Sequence, residues 1–433
     1  MLLNYYKRTI IDLLARVQDV RTSPIERRLD CLTIQRDLLR KVVYAEKRIK
    51  RCRAEIRTFK GMLSGKGSVR LSKSEALRTK KAVKCKRQAI EEYKEILYLL
   101  KSIGDALAFI YIPKWDIKPM AFKEDSGYIH GKDGLRQELT YLEKVYEVDG
   151  ALAILNDVTN SLRYGDLTIV SNGYCGPIEV KSGRHENHRV DRQLSKLEKM
   201  HRYIVEDRIE GLYGLPGEVV RSDIRVEERN YVGDLNDLVA EAYEHGFAFA
   251  KVEEGLYYYV CYDGHPASWD PKGDMPGGFN LLIEEFKGKE PMLFFINRNK
   301  FDTQGRYPYT LSITNPLALF DFYSGRLHVN VILDIAAIST KFEHHGMEAT
   351  LMDDGDVALI LVNKDPAKAN DRWDMFISRH FFERVAYEFL SLDWFVEENA
   401  RRVEISTYTE QELSVFQVST DGDEILDTRL LQM

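Results

Sequence analysis

The sequence has no run of eighteen or more apolar residues, no C-x-x-C pair, no internal repeat and no low-complexity tract. The first absence argues against a membrane-spanning helix. The opening MLLNYYKRTIIDLLARVQ is broken by Lys7, Arg8, Asp12 and Arg16 at helical spacing, so it also lacks the continuous apolar centre of a signal peptide. Cysteine is scarce: five residues, at 31, 52, 85, 175 and 261, odd in number and scattered. Nothing in that set can seed a zinc site, and the expectation is reduced thiols in a cytoplasmic protein.

What is present is charge, unevenly spread. The net charge of the 433 residues is −6, which alone suggests no affinity for polyanions. Yet residues 1–110 hold 27 of the 62 Lys and Arg and only 12 of the 68 Asp and Glu, a local net of +15 that leaves −21 on the rest. A basic arm on an acidic body hints at nucleic-acid contact; the plain alternative is a solvated helical surface that happens to be basic.

The length predicts more than one compact unit, and the 44% hydrophobic fraction is ample for buried cores. The fold class expected is multidomain α+β. A basic helical hairpin region spans 1–110, a central α/β core 111–212, and an α+β domain 213–433. Ser23-Pro24-Ile25-Glu26 reads as a capping box that opens a helix running to Gly61. Ser72 with Glu75 repeats the signal, heading a helix expected to end at Ser102, before Gly104. Two such helices pack antiparallel and leave Lys47, Arg48, Lys50, Arg51, Arg53 and Arg57 largely in solvent. From Tyr111 the pattern turns to a helix at 134–147, strands at 151–155, 167–170 and 178–180, and a helix at 190–209. Gly211, Gly214, Pro216 and Gly217 mark a boundary. Beyond it come strand-like runs at 255–262, 291–297, 327–333 and 357–362, with helices near 234–245 and 380–398. Tyr257-Tyr258-Tyr259 alternates faces on such a strand, half core and half surface.

The segment with legible chemistry is 163–183, RYGDLTIVSNGYCGPIEVKSG. Asp166 stands at the mouth of one strand; after a Gly-rich connection the next strand carries Glu179 and Lys181. Residues i and i+2 of a strand share a face, so the carboxylate and the ammonium fall on one side of the sheet, with Asp166 brought alongside by hairpin pairing. Two carboxylates beside one ammonium suit phosphodiester hydrolysis. The carboxylates hold Mg²⁺ or Mn²⁺, the metal acidifies an attacking water, and the lysine orients that water or stabilises developing charge.

Gly165-Asp166 followed by Ile178-Glu179-Val180-Lys181-Ser182-Gly183 resembles the PD-(D/E)XK nuclease superfamily of restriction-endonuclease-like enzymes, over roughly residues 111–210. The resemblance implies that Asp166 and Glu179 bind the metal, that the Val180 carbonyl is a backbone ligand, and that Lys181 is the catalytic lysine. It also implies a glutamate from the preceding helix, where Glu138 fits best and Glu143, five residues on, points elsewhere. Gln193 and Tyr203 occupy the positions of a glutamine and a tyrosine in the following helix of some members. Tyr164-Gly165-Asp166 replaces the Pro-Asp of the family's name. The implied activity is a Mg²⁺- or Mn²⁺-dependent nuclease acting on DNA, of the kind used in bacterial restriction or anti-phage defence. The alternatives are an RNA-directed nuclease and a catalytically silent nucleic-acid-binding or assembly protein on the same scaffold. Residues 1–110 are then a DNA grip or a homo-oligomer contact, and 213–433 a recognition or partner-binding module. His185 and His188 read as phosphate contacts or surface, and His344-His345 as turn residues.

Overall fold

The computed structural model describes residues 2–64, 71–121, 127–132, 134–148, 150–171, 174–180, 188–212, 217–221, 224–268, 276–301, 305–352, 355–364 and 374–406. The protein is mixed α+β with an N-terminal helical region, and its chain forms two compact units, Met1–Glu198 and Lys199–Met433. The division falls inside a helix at 198/199, whereas sequence reasoning places boundaries after 110 and after 212.

The first unit opens with helices α1 (Leu2–Thr22), α2 (Arg28–Leu63) and α3 (Lys73–Tyr111), followed by α4 (Lys114–Ala121) and α5 (Leu135–Glu147). Strands β1 (Leu152–Leu155), β2 (Leu167–Ser171) and β3 (Tyr174–Ile178) form an antiparallel meander, and α6 (His188–Glu206) follows. The second capping box is present as expected: the Ser72 hydroxyl accepts from the Glu75 amide at 3.3 Å, and the Ser72 amide donates to the Glu75 carboxylate at 2.8 Å. The first is not. Residues 23–27 form a turn, and α2 starts at Arg28 without a side-chain cap. The third helix also runs past its expected stop at Ser102, with Gly104 buried inside it. There a Cβ would lie 2.0 Å from the Val158 carbonyl oxygen, so this glycine is a close-approach site and not a helix end.

The helices are part of the same core as the sheet. Gln35 of α2, 1% exposed, donates to the Ala153 carbonyl at 3.0 Å and accepts from the Leu155 amide at 2.7 Å. Its side-chain amide thus serves the outer ladder groups of β1, which stands at one end of the described sheet. Asp105 of α3 does the same for the loop after β1, accepting the amides of Asn160 and Ser161 at 2.8 Å each. Arg28 caps the carbonyls of Val148 and Ala151 just beyond α5.

The second unit contains a two-stranded ladder of β4 (Arg208–Glu210) and β5 (Glu218–Val220), then α7 (Val232–His245), β6 (Phe247–Glu253), β7 (Leu256–Tyr262), α8 (Phe279–Glu285) and β8 (Pro291–Phe295). After these come α9 (Tyr309–Ser312), α10 (Pro316–Ser324), β9 (Leu327–Asp334), α11 (Ile335–His344), and β10 (Met347–Leu351), β11 (Val357–Asn363) and β12 (Asp374–Ser378). The described residues end with α12 (Arg379–Phe382), α13 (Arg384–Tyr387) and α14 (Leu392–Ser406). One antiparallel sheet has the order β6-β7-β9-β8 and a second β10-β11-β12. Tyr257, Tyr258 and Tyr259 are all buried, contrary to the half-surface expectation, because both faces of β7 are covered. Tyr257 packs edge-on to Phe286, and Tyr258 edge-on to Phe389. The helix expected over 380–398 is three pieces, interrupted where Phe389 takes a positive φ of 57° and Leu390 bridges to Asn230.

Candidate functional site

The meander sets the stage by ending early. Its last rung pairs Leu167 with Ile178, and the Asp166 amide donates to the Ile178 carbonyl at 2.8 Å. Gly165, with φ +71°, turns the chain away at that point; a Cβ there would stand 2.4 Å from the Ile178 oxygen. The strand expected at 178–180 therefore lies earlier, at 174–178, and Glu179 and Val180 follow its end. Having no ladder partner, the Val180 amide donates instead to Oδ2 of Asp166 at 2.9 Å. Glu179 thus lies outside the strand expected to carry it, and Lys181 lies outside the described residues.

Asp166 is only 8% exposed, and its other oxygen, Oδ1, accepts from Lys132 Nζ at 2.7 Å. Two more carboxylates reach the same ammonium: Glu138 at 3.0 Å and Asp157 at 2.8 Å. Each arrives from a different element. Glu138 is in the first turn of α5 and 1% exposed. Asp157 sits in the short 3-10 turn that follows β1. Its neighbour Asn156 holds that turn against β2, donating to the Tyr164 carbonyl at 2.6 Å and accepting from the Thr168 hydroxyl at 2.8 Å. Lys132 comes from the turn before α5, and Glu46 of α2, itself buried, fixes that turn by accepting the His130 amide at 2.7 Å.

Three carboxylates on one ammonium leave an excess of negative charge in a buried place. Burial pushes the Glu138 carboxyl up to about 7; its bond to Lys132 pulls the other way, and the neighbouring Asp166 and Asp157 push it further up. Lys132 is held well above the usual lysine range by Asp157 and Asp166, against the opposing effect of burial. Burial thus favours the neutral form of Glu138, and the neighbouring carboxylates favour the charged form of Lys132. A second cation, Lys101 of α3, faces Asp157, Glu46 and Asp105; burial and the nearby Arg163 lower its pKa.

Of the residues expected from sequence, Glu138 and Asp166 share one partner, and Glu179 and Val180 adjoin them in the chain after β3. Glu143 points away as expected, pairing with Arg36 at the surface. Gln193 is on α6, but its side chain lies outside the described residues, as do Lys181 and His185 and the side chain of His188. Tyr203 is buried beneath the guanidinium of Arg221, 5.3 Å from its ring. Sequence reasoning missed Lys132 and Asp157. The signal for Asp157 was a polar pair, Asn156-Asp157, closing the buried strand β1; Lys132 had none, being one lysine in a turn.

The donor set suits a hard divalent cation, since carboxylate oxygens from three elements converge on a positive centre. Their spacing is that of an ammonium. The oxygens lie 2.7–3.0 Å from the nitrogen, whereas Mg²⁺ takes oxygens at about 2.0–2.1 Å. Consistently, among the described residues no three His, Cys, Asp or Glu side chains already stand as a metal shell. No helix among the described residues is long and apolar enough to cross a membrane. Comparison with known proteins gives no match to any family model, curated protein or solved structure.

Proposed function

We propose that the protein is a Mg²⁺- or Mn²⁺-dependent nuclease that hydrolyses phosphodiester bonds of DNA, on a restriction-endonuclease-like core that occupies the sheet end of the first unit. The observation that carries this reading is the convergence of Glu138, Asp157 and Asp166 on one cationic centre, with the Val180 amide bonded to Asp166. Asp166, Glu138 and Asp157 would hold the metal, with Glu179 completing the set. A bound divalent ion there supplies Lewis acidity to a phosphate oxygen and lowers the pKa of a coordinated water. The protein's own part is positioning: the Val180 amide fixes one oxygen of Asp166, and the first turn of α5 holds Glu138 in a buried place beside it.

The distal half of the α2–α3 hairpin supplies the grip. Lys47, Lys50, Arg51, Arg53, Arg57 and Lys60 on one helix and Lys73, Arg78, Lys80, Lys81, Lys84 and Arg87 on the other are exposed, and the acidic residues nearby are few. Such a surface suits the phosphates of a duplex.

A second reading, a silent nucleic-acid-binding protein on this scaffold, is favoured by one observation: the Lys132 ammonium already occupies the position on which the three carboxylates converge. Incubating the purified chain with linear, circular and single-stranded DNA and with RNA, in Mg²⁺, Mn²⁺ or EDTA, separates the two. Metal-dependent cleavage lost in Asp166→Asn supports the nuclease. Binding to DNA with no cleavage of any substrate in either metal supports the silent protein and overturns the enzyme.

A further inference from the structure

We infer that Lys132 is the resident cation of the Glu138–Asp157–Asp166 cluster and that a divalent metal enters by displacing its ammonium, so that this lysine competes with the metal. The inference rests on the nuclease reading, since it concerns how that site is loaded. Its ground is geometric. The ammonium sits within 3.0 Å of all three carboxylates, in the position their oxygens define. A divalent ion held by the same oxygens cannot share that position: the contracted shell leaves no room for a nitrogen, and two cations a few ångströms apart repel strongly in a site where Glu138 is 1% exposed.

The lysine is also placed to leave. Its side chain is 30% exposed while that of Glu138 is 1% and that of Asp166 is 11%. It is thus the most solvent-accessible member of these pairs, carried on a turn and not on a helix. Lys132 lies between Gly131, whose φ is +94°, and the first turn of α5, and the turn is held to α2 by the Glu46–His130 bond and not through the ammonium. Releasing the ammonium breaks side-chain contacts and leaves that backbone anchor in place. Displacement would free a cation beside the carboxylate cluster, where an incoming phosphate is the natural anion for it.

This makes Lys132 a positioning residue for the metal-free state, keeping three mutually repelling carboxylates together until the metal replaces it. The test uses the full chain and Mn²⁺, titrated by calorimetry and by the loss of the free-ion electron paramagnetic signal, for the wild type, Lys132→Met and Asp166→Asn. The expected result is one site in the wild type, abolished in Asp166→Asn, with Lys132→Met binding about tenfold tighter or more. A second measurement needs no variant at this position: acetylation of the wild-type lysines, read by mass spectrometry, should rise at Lys132 when Mn²⁺ saturates the protein.

Equal or weaker Mn²⁺ binding by Lys132→Met, with the wild-type site intact, overturns displacement and leaves the nuclease reading standing. Absence of an Asp166-dependent site in both wild type and Lys132→Met removes the metal reading and the inference with it. If Lys132→Met fails to fold, the acetylation result decides alone: no increase at saturating Mn²⁺ overturns displacement.

Discussion

Gly165→Ala tests whether the turn before Asp166 builds the site. The backbone here has φ +71°, a left-handed conformation that costs an alanine about 1–2 kcal/mol. The added Cβ would meet the Ile178 carbonyl oxygen at 2.4 Å, and that oxygen cannot simply swing away because it accepts the Asp166 amide at 2.8 Å. Moving it strands a buried amide, at about 1–3 kcal/mol. The total is roughly 3 kcal/mol, and in a unit of this size a loss of that order lowers Tm by about 6–12 °C. Gly131→Ala is the internal control: its φ is +94°, but nothing lies within 4 Å of the new Cβ, so it incurs the conformational cost alone. Urea unfolding followed by circular dichroism, with both variants beside the wild type, reads the difference. Because Asp166 rides on the displaced backbone, Mn²⁺ binding should weaken in Gly165→Ala. Equal destabilisation by the two substitutions would show that the Gly165–Ile178 approach is relaxed at no cost, and the account of how Asp166 is positioned would fail.

Glu138, raised from about 4.5 to about 7, binds more protons folded than unfolded between those values, so stability should fall as pH rises through that window and level off above it. The drop is on the order of 3 kcal/mol, and Glu138→Gln should abolish it in unfolding curves taken from pH 4.5 to 8. Gln35→Leu leaves the Leu155 amide of β1 without its side-chain partner, while the Ala153 carbonyl keeps the Tyr146 hydroxyl, and a loss of about 1–3 kcal/mol should appear in denaturant unfolding; an unchanged midpoint would mean that water or another group serves that amide equally well. Replacing Arg53, Arg57, Lys80 and Lys84 with glutamine should weaken duplex binding and flatten its log–log salt dependence by about 0.9 for each phosphate contact removed, with melting unaltered. A slope unchanged by all four substitutions, measured by fluorescence anisotropy across salt concentrations, assigns their charge to something other than duplex contact.

Local signals in the sequence carried far where one residue decides one feature. The Ser72 capping box, the helix at 135–147 and the first two short strands are legible because their chemistry is confined to a few neighbouring positions. Gly104 misled because glycine in a helical pattern has two meanings, an end or a close approach, and only the distant Val158 carbonyl distinguishes them. Phe389 gave no warning at all: a bulky residue with positive φ is held there by its burial and by the Leu390 bridge to Asn230, contacts some 160 residues apart in the chain. At the site, Asp166 could be named from its place at the mouth of a strand, and Glu138 from the resemblance, which calls for a glutamate on the preceding helix. Asp157 and Lys132 could not, since a turn residue acquires its role only from what the fold brings opposite it.

The placement of the helical hairpin changes what its removal would mean. If residues 1–110 were an independent arm, deleting them would leave the core intact and report on DNA grip alone. Instead Gln35, Glu46 and Asp105 reach from α2 and α3 into β1, the Lys132 turn and the loop after β1, and Gly104 lies directly against Val158. The proximal half of the hairpin therefore does for the sheet what a flanking strand and helix would do elsewhere, satisfying edge groups and covering apolar side chains. The distal half carries the exposed basic residues and makes none of those bonds. Grip and scaffold are thus two ends of one pair of helices, and truncation confounds them. Charge neutralisation beyond residue 47 on α2 and before residue 87 on α3 separates them, because it changes the field at the tip while Gln35, Glu46 and Asp105 continue to hold β1, the Lys132 turn and the loop after β1 in place.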